Sequence, residues 1–253
     1  MMELLAVAML AVFTAGYLVL AGGDIGVGML LPFLGRDQAE RRVVIASIAP
    51  FFLGNEVWLV SAAGITAGAF PGLEHHLLEG LFPLFVVLLV AWVVRDMGLW
   101  LRGRVDAAVW RGGCDAAIVG GSWALALVWG ALLGSIAVGG GDGDLGLNVG
   151  SVLGLPLAVV FAVHGAGFAR LRSAGAVLER ARRVPARYGV SAAVLVVVAV
   201  AAGARLPWSE SASSGTALAA TAVMTVVLLP LLLAAQALVW WTFRGRVDSP
   251  SYL

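Results

Sequence analysis

The sequence has no lysine, one cysteine and three histidines among its 253 residues. The single cysteine, Cys114, excludes an internal disulfide and any CxxC metal or redox motif. Only His164 falls within a long apolar run, so the chain lacks two opposed histidine ligands for a haem. We therefore expect the chain alone to bind no metal and no haem. The formal net charge of +1 says little about partners, and we expect no nucleic-acid partner.

Charged side chains are also scarce, at 12% of residues, whereas 61% are hydrophobic and the mean hydropathy is +0.98. This composition is typical of a chain whose solvent is lipid. Helices are expected, because a backbone that crosses lipid must satisfy its own hydrogen bonds. We predict an all-α polytopic transmembrane bundle, a single integral membrane domain over residues 1–253, with about seven spans. The spans are predicted near residues 4–31, 43–69, 80–101, 116–138, 149–169, 189–204 and 215–243.

The distribution of arginine predicts the orientation. The loops after the first, third and fifth spans carry most of the arginines, whereas the alternate loops are neutral or acidic apart from Arg205. Because cytoplasmic loops are enriched in arginine, we predict an N-terminus outside and a C-terminus in the cytoplasm. Residues 170–188 form a predicted basic cytoplasmic linker between a five-helix part, 1–169, and a two-helix part, 189–253. The first span lacks a basic n-region and an obvious cleavage site, so we predict a retained helix and not a signal peptide.

Ionisable groups inside spans are candidates for function, because each costs about 2.5–3.5 kcal/mol to insert. Asp24 lies in a glycine-rich stretch of the first span, and glycines let a neighbouring helix approach the backbone closely. Close packing accounts for the glycines, but it does not require a buried acid. Asp24 is therefore a candidate for the polar interior, and the packing candidates are Gly22, Gly23, Gly26 and Gly28.

The second span opens with the sequence FFLGNEVWL, which follows the helix-perturbing Pro50. On a helix Asn55 and Trp58 share a face, while Glu56 points about 100° away. The Glu56 carboxylate has three possible roles: it could relay protons, pair with Arg95 or extend to water.

The remaining ionisable groups have simpler interpretations. Arg95 is either a partner for a buried acid or an interfacial anchor at the end of the third span. Asp115 fits an acid near a helix N-terminus, where the helix dipole favours negative charge. His75 and His76 are predicted in a solvated external loop, with a zinc site as the alternative.

The block GGDIGVGMLLPFLGRDQAERRVVIASIAPFFLGNEVWLVSAAGITAGAFP, residues 22–71, resembles subunit II of the cytochrome bd-type quinol oxidases. The segment VVRDMGLWLRGRVDAAVWRGGCD and the tail WWTFRGRV give weaker support. The resemblance implies a heterodimer in a bacterial-type cell membrane, in which a haem-bearing subunit I carries haems b and d and the complex oxidises quinol with oxygen. It also allows a small accessory subunit.

By matched position, the resemblance implies a polar interior at Asp24 and Arg95, a Glu/Gln site at Glu56 and an oxygen-access route beside Trp58. In this reading the chain is not catalytic alone; it supports subunit I and contributes proton or oxygen access.

Some features depart from the family pattern. Aspartates are expected where Ala21 and Leu53 stand, and two further helices are expected in the second half, so the chain is predicted to be a shortened or divergent member. Two alternatives stay open. One is an ion or small-solute transporter whose buried acids bind the cargo, and the other is a structural paralogue without redox function.

Overall fold

The computed structural model describes residues 1–139 and 146–249, and the described residues are almost entirely helical. Most of the glycine-rich sequence VGGGDGDLG, which follows the fourth predicted span, lies outside the described residues. A short 3-10 turn, Val149–Leu153, precedes α8. The α-helices in chain order are α1 Met2–Met29, α2 Leu31–Leu34, α3 Gln38–Ile48, α4 Phe52–Ala69, α5 Pro71–Gly80, α6 Phe82–Leu101, α7 Ala108–Gly139, α8 Gly154–Arg172, α9 Gly175–Arg182, α10 Tyr188–Gly203, α11 Trp208–Ser211 and α12 Gly215–Thr242.

The helices confirm the all-α membrane fold. In the described part of the chain, 5 helices are long and apolar enough to cross a membrane, or up to 6 if the bent pair α3 and α4 is one span. Helix α10, with 16 residues, is shorter but also apolar. The predicted seven runs therefore all fall on helices, while length and composition alone support five or six spans.

The predicted second span is broken. Helices α3 and α4 meet at an angle of 43°, and Pro50 lies in the break between them. Proline has no backbone N–H to donate, and its ring clashes with the preceding helical turn, so a continuous helix is disfavoured there. As a result, α4 begins at Phe52 and places Asn55 within its first turns.

Helix α1 is the centre of the bundle, with α4, α7, α8, α10 and α12 packed around it. Its contact with α8 is backbone to backbone: a Cβ on Gly26 would lie 2.0 Å from the carbonyl oxygen of Phe161, and one on Gly165 would lie 2.1 Å from the carbonyl carbon of Gly26. Only glycine permits this approach. Gly22 and Gly23 face the rings of α8, and Gly28 faces Ser122 of α7.

The C-terminal part packs into the same body as the first five predicted spans. Helix α10 lies against α1, α7 and α8, and α12 lies against α1 and α4. After α12, the Val247 N–H donates to the carbonyl oxygen of Arg172 at 2.7 Å, and the Ala174 N–H donates to that of Val247 at 3.0 Å. The end of the described chain is thereby attached to the junction of α8 and α9.

The basic linker contains a helix, α9, that is tied to the region after α1. The Arg180 guanidinium pairs with Glu40 at 2.5 Å and donates through Nε to the carbonyl oxygen of Leu34 at 2.8 Å. The prediction of a loop at His75 and His76 was wrong, because both lie exposed on α5. A proline at the first position of α5 suits a helix start, since its missing N–H would have no partner there.

Candidate functional site

The centre of the site is a buried ion pair between α1 and α6. Arg95 Nη2 lies 2.5 Å from Asp24 Oδ1, and the two side chains are 2% and 1% exposed. The interpretation of Arg95 as an interfacial anchor was therefore wrong. The helix places Arg95 against α7 at Gly121, where a Cβ would come within 2.7 Å of the Arg95 Cβ. The missing side chain at Gly121 makes room for the arginine beside the bundle core.

Two amides extend the site to α4 and α12. The Asn55 side-chain amide donates to Asp24 Oδ2 at 2.8 Å and to the carbonyl oxygen of Leu20 at 3.1 Å. The amide of Gln236 on α12 donates to Asn55 Oδ1 at 3.0 Å. Asp24 thus accepts from a guanidinium and an amide, and the buried charge is balanced and hydrogen-bonded.

Glu56 does not pair directly with Arg95 in the structure. Its Oε1 accepts a hydrogen bond of 2.7 Å from Trp92 Nε1 on α6, one helical turn before Asp96. Asp96 in turn accepts from Arg95 Nη1 at 2.9 Å. Because Trp92 and Asp96 are four residues apart on α6, the Glu56 carboxyl lies at the face of α6 that also carries Asp96. The polar cluster, defined as Asp24, Asn55, Glu56, Trp92, Arg95, Asp96 and Gln236, therefore joins α1, α4, α6 and α12.

Three members of the polar cluster were not predicted as site residues. Asp96 was treated only as part of the end of the third span, although its charge next to Arg95 was a usable signal. Gln236 was also detectable, as an amide inside an apolar run. Trp92 carried no signal in the sequence, because tryptophan in an apolar helix is ordinary.

Trp58 lies next to the polar cluster but not in it. Its ring packs against Phe13 with centroids 5.5 Å apart, and it fills the space left by Gly16, where a Cβ would lie 2.2 Å from the indole. Its Nε1 is buried without a hydrogen-bond partner among the described residues. An apolar cavity of about 440 Å³ is lined by Leu59 and Ala62, which neighbour Trp58 along α4, and by residues of α1, α5, α7 and α10.

A second ionic cluster lies at one end of the bundle. Asp115 accepts from Arg102 Nε at 2.5 Å and from Arg41 Nη1 at 2.9 Å, and Arg102 also donates to Gln38 at 2.7 Å. Helix α7 begins at Ala108, two turns before Asp115, so the interpretation of Asp115 as an acid at a helix N-terminus was wrong. Its charge is balanced by two arginines from other elements and not by a helix dipole.

His164 does not fit a haem or metal ligand. Its Nε2 lies 2.8 Å from the carbonyl oxygen of Val19, and its Nδ1 lies 2.8 Å from the hydroxyl of Ser191. The ring is fully buried and stacks on Tyr188 at 4.2 Å between centroids. Both nitrogens are occupied, so the ring joins α1, α8 and α10. Within the described residues no group of three or more histidine, cysteine or acidic side chains could hold a metal.

The chain is similar to known proteins over most of its length. The family model described as cytochrome bd terminal oxidase subunit II matches residues 2–208. The chain is 36% identical to cytochrome bd ubiquinol oxidase subunit 2 of Bacillus subtilis over 186 residues, 70% of this chain and 55% of that protein. It is 31% identical to the probable cytochrome oxidase subunit 2 of Haemophilus influenzae over 188 residues, 68% of this chain and 50% of that protein.

It is also 36% identical to cytochrome bd-I ubiquinol oxidase subunit 2 of Escherichia coli K12 over 131 residues, 52% of this chain and 35% of that protein. The chain therefore spans about half the length, or less, of the curated relatives it matches.

Proposed function

The chain belongs to the cytochrome bd terminal oxidase subunit II family, and we propose that it acts as subunit II of a membrane quinol:oxygen oxidoreductase beside a haem-bearing subunit I. The relatives from Bacillus subtilis and Escherichia coli are named as ubiquinol oxidase subunits, which supports a quinol as the electron donor. The apolar helices suit a multi-pass protein of a bacterial cell membrane.

The observation that carries this proposal is the buried Asp24–Arg95 pair, which lies inside the region matched by the family model. A buried ion pair is expensive, and apolar residues of similar volume are often as stable. The polar cluster is therefore better explained by a function than by stability alone. The polar cluster provides charged and amide groups on four helices. Reduction of oxygen in a partner subunit would consume protons, and groups of this kind could carry protons through a low-dielectric interior.

In the proposed mechanism this chain binds no haem. Haems b and d would belong to subunit I, which fits the environment of His164, whose two ring nitrogens are both hydrogen-bonded. The haems would supply the electron transfer and the oxygen chemistry. The helices of this chain form the contact surface for subunit I, and Asp24 and Glu56 take part in proton supply.

We also propose a role in oxygen access for the apolar cavity beside Trp58. Oxygen is small and apolar, and the cavity of about 440 Å³ is lined almost entirely by apolar side chains. Its lining includes Leu59 and Ala62, the neighbours of Trp58 along α4.

The transporter alternative is not favoured. A cation bound at Asp24 would have to displace Arg95 and Asn55, which already occupy both carboxylate oxygens. The described chain contains one broken helix pair, α3 and α4, and a transporter with inverted repeats typically has a matched pair of such breaks.

The test is affinity purification of this chain from native membranes, followed by a visible absorption spectrum and a quinol oxidase assay. We expect a haem-bearing protein to co-purify and quinol-dependent oxygen consumption to follow it. A matched preparation of the Arg95→Ala variant should lose the pigmented partner, whereas a variant at the exposed pair, Arg182→Ala, should keep it. A stable, folded wild-type preparation without any haem absorption would contradict the proposal.

A further inference from the structure

The polar cluster is unbalanced in charge. It contains three carboxyl groups, on Asp24, Glu56 and Asp96, and one guanidinium, on Arg95. The described residues supply no second cation within ion-pairing distance of these acids. If all three were ionised, the cluster would hold an excess of negative charge in a low-dielectric region, where like charges a few ångströms apart repel strongly.

Arg95 is shared between two of the acids and does not reach the third. It lies 2.5 Å from Asp24 and 2.9 Å from Asp96, so each of these carboxyls has one direct positive partner. Within the described part of the chain, the partner of Glu56 is the neutral indole of Trp92, which donates to it at 2.7 Å. Glu56 is therefore the acid whose ionised form is compensated least.

Trp92 and Asp96 are four residues apart on α6, so Asp96 lies on the same face of α6 as the indole that donates to Glu56. Asp96 is only 15% exposed, Glu56 is half-buried, and their exposed neighbours Val57, Val93 and Met97 are apolar. A pair of carboxyls in such surroundings is stabilised when one proton lies between them, because one carboxyl then donates and the other accepts.

We propose that Glu56 and Asp96 form a carboxyl pair that binds one shared proton at the membrane-facing side of the bundle. Binding the proton removes one of the uncompensated negative charges. Trp92 donates a hydrogen bond to Glu56, and Arg95 donates one to Asp96, so both carboxyls are held in place. Among the described residues, Asp24 is the other acid linked to the pair, through the Arg95 that it shares with Asp96, and it supplies no positive charge. The use of this proton in oxygen reduction rests on the proposed function, but its binding does not.

The test is infrared difference spectroscopy of the intact complex in native membranes at neutral pH, exchanged between water and D2O. We expect a deuterium-sensitive C=O band of a protonated carboxyl that disappears in Glu56→Gln. In Asp96→Asn the band should remain and move in frequency, because the partner of the proton changes from a carboxylate to an amide. The exposed control Glu79→Gln should leave the band unchanged.

A further variant distinguishes loss of the carboxyl pair from loss of the fold. Trp92→Phe removes only the indole donor to Glu56 and touches neither carboxyl, so the band should persist with a shifted frequency. A spectrum with no band sensitive to Glu56→Gln would overturn the proposal, and so would a band that Asp96→Asn leaves unaltered. Quinol oxidase turnover is measured on the same samples. An intact band without turnover would therefore count against the proposed function and not against the carboxyl pair.

Discussion

At the scale of single residues, Arg95 determines the character of the site. It is almost completely buried and connects two acids that the sequence places 72 positions apart, Asp24 and Asp96. Its Nε has no hydrogen-bond partner in the described part of the chain, so its charge is compensated through the two terminal nitrogens alone. Removing one partner from such a pair leaves an uncompensated buried charge, which costs more than the pair itself contributes.

The first prediction follows from that asymmetry. Asp24→Asn keeps the shape of the side chain but leaves Arg95 with Asp96 as its remaining acid, and we expect a loss of about 1–3 kcal/mol in stability, because one buried partner is lost and the other is kept. The introduced asparagine also lacks the negative charge to which the Asn55 amide donates, so we expect less complex to assemble in membranes. The measurement is the thermal inactivation midpoint of the purified complex and its yield per cell.

The matched comparisons are a double variant and a surface variant. In the double variant Asp24→Asn with Arg95→Gln the two losses should be less than additive, because each single variant already removes the same Asp24–Arg95 contact. Glu179→Gln, in the exposed pair with Arg182, should change stability by no more than about 0.5 kcal/mol. Equal losses for Asp24→Asn and Glu179→Gln would show that burial of the pair has no energetic consequence.

At the scale of helices, the position of α1 is fixed by how closely its glycines let other helices approach. Without a hydrophobic driving force between helices in lipid, close van der Waals contact and interhelical hydrogen bonds provide the association energy. The crossing of α1 and α8 at Gly26 and Gly165 brings the two backbones together, and the hydrogen bond from His164 to the Val19 carbonyl adds a polar link nearby. The Asp24 carboxylate is held in register by this packing.

The second prediction concerns that crossing. In Gly26→Ala the new methyl group would meet backbone atoms of α8, which cannot move aside as a flexible side chain could, so the helices must separate. We expect destabilisation by about 1–3 kcal/mol and a reduced yield of assembled complex, measured by thermal inactivation.

The control uses a glycine in open space. At Gly120 on α7, an added Cβ meets no heavy atom within 4 Å, so Gly120→Ala should be neutral or stabilising by up to about 1 kcal/mol. If Gly26→Ala proved as harmless as Gly120→Ala, the α1–α8 contact would not be the determinant of packing that the structure indicates.

At the scale of the whole molecule, the two ionic clusters join different sets of helices. The polar cluster joins α1, α4, α6 and α12 around the buried Asp24–Arg95 pair, whereas the cluster of Asp115, Arg102 and Arg41 joins α7 to α3 and to the end of α6. The arginine-rich segments around α9 and after α12 belong to the same end, since Val247 bonds to Arg172. This concentration of arginine is the basis for a cytoplasmic assignment of that end.

The third prediction tests this orientation. In a Cys114→Ser background, cysteines are introduced separately at Glu79 on α5 and at Arg183 after α9, both of which are exposed. A membrane-impermeant maleimide added to intact cells should label the residue 79 variant, and the residue 183 variant should react only after permeabilisation. The reverse pattern would invert the predicted topology. Labelling of both variants in intact cells would contradict the placement of residues 79 and 183 on opposite sides of the membrane.

The sequence by itself determined the membrane class, the helical fold and the approximate position of each helix, because these depend on local hydrophobicity and on the need to satisfy backbone hydrogen bonds within a span. It also identified Asp24, Glu56 and Arg95 as candidates, since charges stand out in apolar runs. It could not decide which charge meets which, because Asp24 and Arg95 belong to different helices whose relative rotation and depth no local pattern encodes.

The tertiary structure decided those pairings. Packing through Gly26 and Gly121 sets the depth of α1 and the place of Arg95, and this selects Asp24 and Asp96 as the partners of Arg95 and leaves Glu56 to Trp92. Asp115 shows the same limit, because its arginine partners come from distant segments. The energy of a buried charge depends on its neighbours in space, and only the folded bundle specifies them.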